Sequence, residues 1–156
     1  MPEHAAANLP SIESVMTATP WYIQVTDTLK HAREVMESNH IRHLPVKEGD
    51  ALVGLVSHRD VAFLLEGSSP KRRARLRVRD ACALNPYIVD ASEPLAAVLL
   101  VLAERQIGSA LVTRGGELAG ILTATDACRA FGLLLRSLAP PRGGHDLGRA
   151  RDCGDC

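Results

Sequence analysis

The chain has 156 residues, with 18 Lys and Arg balanced by 18 Asp and Glu, so no net charge recruits nucleic acid or a membrane surface. Aromatics make up 3%, leaving few platforms for base stacking. The longest strongly apolar run, residues 95–103, falls short of the roughly 18 residues of a membrane span, and residues 1–10 lack the apolar core of a signal peptide.

The expected setting is therefore soluble and cytoplasmic. Four cysteines in such a chain read as thiols rather than a disulfide framework. Residues 1–10 are Ala-rich, without periodicity, and read as a loose leader. Ser14 is placed to cap a short turn with Val15 and Met16. Thr19-Pro20 breaks any helix, because the residue before proline is pushed to extended geometry. Ile23 and Val25 alternate with Gln24 and Thr26, a short strand. Thr26-Asp27-Thr28 caps a helix in which Leu29, Ala32, Val35 and Met36 recur at helical spacing. After Ile41, residues 43–47 form a strand with Pro45 near its start. Glu48-Gly49-Asp50 turns the chain into residues 52–56, a nearly continuous apolar run typical of a buried strand. A second helix begins near Asp60. In residues 67–77, Gly67-Ser68-Ser69-Pro70 signals a loop, followed by Lys71, Arg72, Arg73, Arg75 and Arg77, with Arg79 just beyond.

The second half repeats the first. Gly54-Leu55-Val56-Ser57-His58-Arg59-Asp60 returns 66 residues later as Gly120-Ile121-Leu122-Thr123-Ala124-Thr125-Asp126. At the same offset Pro20 meets Pro86, Leu29 meets Leu95, Ile41 meets Ile107 and Gly49 meets Gly115. Ser92-Glu93-Pro94 starts the first helix of this copy. Its Leu95, Val98, Leu99, Leu102 and Ala103 cover more of the circumference than in copy one, so deeper burial is expected. The last helix ends near Leu138, before Pro140 and Pro141. Residues 139–156 are too poor in apolar side chains to pack and read as disordered. Each copy is near 60 residues, marginal alone, so the two are expected to pack as one module.

The unit strand, helix, strand, strand, helix, the entry Ile41-Arg42-His43-Leu44-Pro45-Val46, and Gly-apolar-apolar-Ser/Thr-x-x-Asp at a strand end together resemble the CBS (cystathionine-β-synthase) domain. Two in tandem form a Bateman module, and the resemblance spans about residues 11–138. It implies an α/β fold with two motifs, residues 11–66 and 78–138, related by a pseudo-two-fold axis and joined by the basic linker 67–77. It also implies a homodimer whose seam uses the helices after Thr28, Asp60, Pro94 and Asp126, with Phe63, Leu64 and residues 131–135 in contact.

The same resemblance implies a regulatory, energy-sensing role. The ligand would be an adenine nucleotide (AMP, ADP or ATP) in a cleft between the motifs, with no required cofactor and an unidentified regulated protein as partner. The residues suit it. Asp60 and Asp126 carboxylates can each accept both ribose hydroxyls, and charged acceptors make the stronger hydrogen bonds. Ser57 and Thr123 can bond a ribose or phosphate oxygen where a helix begins, and helix amino termini attract phosphate. Arg42, His43, His58 and Arg59 add basic groups on copy one, where copy two has Gly108, Ser109, Ala124 and Thr125. Arginine forks onto phosphate and glycine cannot, so the two clefts are expected to be inequivalent, with Thr125 the polar counterpart in the second. The adenine slot is expected from Thr19, Pro20, Ile23, Leu44 and Pro45, with Asn85, Pro86, Ile88, Ser109 and Ala110 as counterparts.

Plainer readings compete. Both aspartates can serve only as helix caps, making the pair a ligand-free interaction module. The basic linker can contact nucleic acid, though neutral charge and few aromatics favour a solvated linker. His58-Arg59-Asp60 matches the start of a kinase catalytic loop but lacks its asparagine and glycine loop. No nucleophile–base pair or metal set is visible, so no enzyme is expected. Cys153 and Cys156 form a lone C-x-x-C, with His145 and Asp146 nearby. A structural zinc site needs four ligands, so a metal-free tail is expected. Cys82 and Cys128 read as packing thiols. His40 reads as an exposed helix residue, and Trp21 and Tyr22 either stack on adenine or pack.

Overall fold

The structure, a computed structural model, describes residues 9–18 and 21–138. Thr19, Pro20 and the Cys153/Cys156 pair lie outside the described residues. The chain runs α1 (Ile12–Val15), β1 (Thr17–Ala18), β2 (Ile23–Gln24), α2 (Leu29–Ser38), β3 (His43–Glu48), β4 (Ala51–Ser57) and α3 (His58–Glu66). A short helix α4 (Pro70–Arg73) and a 3-10 turn (Val78–Asp80) lead to the second copy. That copy runs β5 (Ala83–Leu84), β6 (Ile88–Asp90), α5 (Leu95–Glu104), β7 (Ser109–Arg114), β8 (Glu117–Thr123) and α6 (Ala124–Leu138). The expected α/β order of strand, helix, strand, strand, helix holds in both copies.

The repeat persists in backbone detail. β2 pairs parallel with β3 and β6 with β7, while β3–β4 and β7–β8 are antiparallel hairpins. Thr28 Oγ1 accepts from the His31 amide at 3.1 Å, capping α2 as read from the sequence. At the matching position Pro94 makes no side-chain cap. The cap of α1 is Ser11 rather than Ser14: Ser11 Oγ accepts from the Ser14 amide at 3.2 Å, because the helix begins one turn earlier than the sequence suggested.

The two copies exchange their first strands. β1 of copy one lies antiparallel to β8, with Thr17 opposite Ile121; β5 of copy two lies antiparallel to β4, with Leu84 opposite Gly54. Each sheet thus has four strands, ordered β1-β8-β7-β6 and β2-β3-β4-β5. The cores follow. Ile12, at 0% exposure, packs with Val89, Val98, Leu102, Val112 and Leu122 of copy two. Leu76 and Val78 pack with Leu29, Met36, Leu44, Val56 and Val61 of copy one. Burying each such side chain is worth about 1.5–3 kcal/mol, so these anchors tie the motifs together.

The exchange explains the motif glycines. A Cβ on Gly54 would collide with Cys82 Sγ and stand 2.7 Å from the Ala83 carbonyl; on Gly120 it would stand 2.6 Å from Met16 Sδ and 2.8 Å from the Thr17 carbonyl. Only a residue without Cβ lets the visiting strand approach.

The basic linker opens on the loop signalled by Gly67-Ser68-Ser69 and then forms α4, capped by Ser69, with Leu76 buried. One expectation needs correction: helix α5 is not more buried than its counterpart. It buries Val98 and Leu102 where α2 buries Leu29, Ala32 and Met36, and Leu100 is 63% exposed. A helix on one face of a sheet buries a single stripe, so the additional apolar side chains of α5 remain uncovered within the chain.

Candidate functional site: two unequal clefts

Each motif aspartate sits one turn into a helix that begins where a strand ends. In copy two, the Thr123 amide donates to Asp126 Oδ2 at 2.9 Å, and the Asp126 amide donates to Thr123 Oγ1 at 3.2 Å. This is a reciprocal capping box. The Thr123 hydroxyl adds a bond to Oδ2 at 2.6 Å, and Arg129 Nη1 reaches Oδ1 at 3.2 Å. Asp126 is 6% exposed.

In copy one only half of this box forms. The Asp60 amide donates to Ser57 Oγ at 3.2 Å, and the Ser57 hydroxyl donates to Asp60 Oδ2 at 2.5 Å. No backbone amide or arginine bonds the Asp60 carboxylate among the described residues, and the residue is exposed. Phe63 stands where copy two has Arg129.

The surroundings differ in the same sense. Asp60 opens into a hollow of about 520 Å³ lined also by Arg42, His43, Ser57, His58 and Arg59. Gly108 is common to it and to a second hollow of about 650 Å³. That second hollow is walled by Asn85, Pro86, Tyr87, Ile88, Ile107 and Ser109, with Leu55 from copy one. Basic groups from copy one thus meet a partly apolar slot from copy two. A Cβ on Gly108 would meet nothing within 4 Å, so space is open there.

Asp126 opens into a smaller hollow of about 250 Å³ with Thr123, Thr125, Ile121, Thr17, Ala18, Trp21, His40 and Ile41. Arg42 and His43 line this hollow as well, lying between the two sites. Burial holds the His43 imidazole below its ordinary range; the Asp60 carboxylate opposes this and Arg42 adds to the lowering.

The structure brings Asp60, Ser57, Arg42, His43, His58 and Arg59 together, and places Asn85, Pro86, Ile88 and Ser109 beside them. Thr125 lies with Thr123 and Asp126, apart from His58 and Arg59. Ile23, Leu44, Pro45 and Ala110 line neither cleft; they are buried within their sheets. Tyr87 falls inside the 85–89 stretch expected to line the slot, whereas Gly108 and His40 were not assigned to a cleft from the sequence. Tyr87 lines the large hollow with Arg105 above its ring at 5.3 Å. Gly108 joins the hollows. His40, in left-handed backbone at φ 53° past the end of α2, faces the Asp126 site.

Among the described residues no group of three or more His, Cys, Asp or Glu could hold a metal ion, and no helix is long and apolar enough to cross a membrane.

A model of the CBS domain matches residues 12–67 and 78–132, so the chain belongs to the CBS domain family, as a tandem pair. A crystal structure of a candidate acetoin utilization protein (AcuB) from Vibrio cholerae is 27% identical with a TM-score of 0.69, covering 85% of this chain and 99% of that one. CBSX2, solved in complex with AMP, is 25% identical with a TM-score of 0.66, covering 81% and 98%. Inosine-5'-monophosphate dehydrogenase of Korarchaeum cryptofilum is 33% identical over 116 residues, 74% of this chain but 22% of that enzyme. The chain spans between 22% and 41% of the length of the curated relatives it matches first.

Proposed function

We propose that this CBS pair is a cytoplasmic regulatory sensor that takes one adenine nucleotide, AMP, ADP or ATP, in the cleft opening on Asp60. The observation that carries this reading is the state of the two carboxylates. Asp126 is consumed by a capping box and Arg129, whereas Asp60 is open among four basic side chains. In this reading Asp60 accepts both ribose hydroxyls. The first turn of α3 receives a phosphate, the Ser57 hydroxyl turning from Asp60 Oδ2 to donate to it, with Arg42, His43, His58 and Arg59 around it. Adenine enters the slot of Tyr87, Ile88 and Ile107, where Asn85 and Ser109 offer polar edges. The likeness to CBSX2, which holds AMP, supports the ligand class.

A ligand so held touches copy one with its phosphate and copy two with its base. Binding then favours one relative angle of the motifs over others, a population shift that a regulated protein can read. The role is regulatory rather than catalytic, and the dehydrogenase match covers too little of that enzyme to transfer its activity.

Calorimetry with AMP, ATP, NAD and S-adenosylmethionine tests the reading. One nucleotide is expected per chain; absence of binding to all four leaves the ligand-free interaction module as the function.

A homodimer belongs to the same reading. Lys30, Arg33, Glu34 and Glu37 of α2 correspond to Ala96, Leu99, Leu100 and Ala103 of α5. Leu100, Phe131, Leu133 and Leu135 are each more than half exposed. This concentrates the apolar seam on copy two, with Phe63, 77% exposed, as the outlier on copy one.

A further inference from the structure

We propose that a hollow beside α4 docks an acidic segment of a partner protein, independently of the nucleotide clefts. The hollow is about 470 Å³. Leu65, Pro70 and Ala74 supply an apolar floor, and Lys30, Arg33 and Arg73 stand on its rim. None of these residues lines a nucleotide cleft.

The rim charges are available. Arg73 donates from Nε to the Ser68 carbonyl at 2.8 Å and from Nη2 to the Glu66 carbonyl at 3.4 Å. These neutral acceptors fix the guanidinium without cancelling its charge, and most of its five N–H donors stay unused. Among the described residues no carboxylate forms an ion pair with Arg73, Lys71 or Arg72. Lys30–Glu34 at 3.7 Å and Arg33–Glu37 at 3.9 Å are solvent-facing pairs within one helix and hold their cations weakly. Lys30 also sits in the first turn of α2, where no acidic residue offsets the helix dipole. An anion brought there relieves that mismatch.

The fold does not require these cations. Copy two builds the same pair of helices with Ala96 and Leu99 at the positions of Lys30 and Arg33. Its α6 runs unbroken to Leu138 where copy one ends α3 at Glu66 and inserts α4. The basic rim and the helix that completes the hollow are particular to copy one.

The chemistry selects the occupant. An apolar floor takes an aliphatic side chain, and a cationic rim takes flanking carboxylates, the complementarity that steers and orients protein partners. Among the described residues no aromatic side chain lines the hollow, so a nucleic-acid base has nothing to stack on there.

A random dodecapeptide library selected against the full chain tests this. Enriched peptides are expected to carry Asp or Glu on both sides of one aliphatic residue and to shift the amide resonances of Thr28, Leu65 and Ala74. They should bind Lys30→Glu/Arg33→Glu about tenfold more weakly or worse, the sign expected for a reversed rim charge. That variant leaves the Arg73 anchors of α4 in place, and its AMP affinity is expected to be unchanged, which separates this site from the nucleotide clefts. The proposal is overturned if no acidic peptide is enriched, if the variant binds the peptides equally well, or if the shifts map elsewhere. Tighter binding of a single-stranded oligonucleotide at the same amides would overturn it in favour of nucleic acid.

Discussion

Asp60 and Asp126 occupy the same position in two copies of one motif, yet their carboxylates are in opposite states. Asp126 Oδ2 accepts the Thr123 amide and hydroxyl while Oδ1 meets Arg129, and the residue is 6% exposed. Asp60 accepts the Ser57 hydroxyl alone among the described residues and faces solvent beside Arg42, His43, His58 and Arg59. The same residue type thus closes a helix in one copy and leaves an acceptor open in the other.

Gly108 follows from that geometry. It lies where the basic hollow and the base slot meet, and a Cβ there touches nothing within 4 Å. Gly108→Leu is therefore expected to fold normally while its side chain fills the junction. Nucleotide affinity should fall by about tenfold or more, an energetic cost of about 1.4 kcal/mol or above, with the melting temperature within a degree or two. Calorimetry and thermal unfolding on the same sample check it.

His43 gives a pH dependence. Burial lowers its pKa, so the folded state binds fewer protons than the unfolded chain just below pH 6.5. Its contribution to stability is present above that value and is lost as pH falls through the folded pKa. A phosphate beside the imidazole favours the charged form. Nucleotide affinity should then rise from pH 8 towards pH 6, and NMR titration should show the His43 pKa moving up on binding. In His43→Gln the part of the pH slope due to this residue is expected to vanish.

The uncovered apolar residues predict assembly through copy two. Leu100→Glu combined with Phe131→Glu should convert a dimer to a monomer in sedimentation experiments, because a charge buried at an apolar seam is strongly unfavourable. Exchanging the charges of Lys30 and Glu34 on α2 should leave the dimer intact. A monomeric unsubstituted chain would contradict this arrangement.

Much of this was legible in residue order. The repeat at 66 residues fixed the element order, and Ser/Thr-x-x-Asp marked both helix starts. The difference between Phe63 and Arg129 was also visible, but its meaning depends on α6 turning Arg129 back onto Asp126. The strand exchange was not legible, because two-residue strands such as β1 and β5 carry no periodicity. It nevertheless accounts for Gly54 and Gly120, which the sequence offers only as recurring letters. The sequence offers Ile23 and Leu44 as slot residues because strand order does not reveal what covers a strand: in β3 the consecutive residues Leu44, Pro45 and Val46 are all buried. Helix α5 looked the more deeply buried of the pair because hydropathy reports how much apolar surface exists, not what covers it.

The most direct test is AMP binding to Asp60→Ala and Asp126→Ala, measured by calorimetry at one pH together with the stability of each variant. Asp60→Ala is expected to bind AMP about 10–100-fold more weakly, the loss of charged hydrogen bonds worth roughly 1.5–3 kcal/mol, with little change in stability. Asp126→Ala is expected to lose about 1–2 kcal/mol of stability through its capping box while keeping AMP affinity within about threefold. Equal losses of affinity in the two variants, or a larger loss in Asp126→Ala, would contradict the assignment of the nucleotide to the Asp60 cleft.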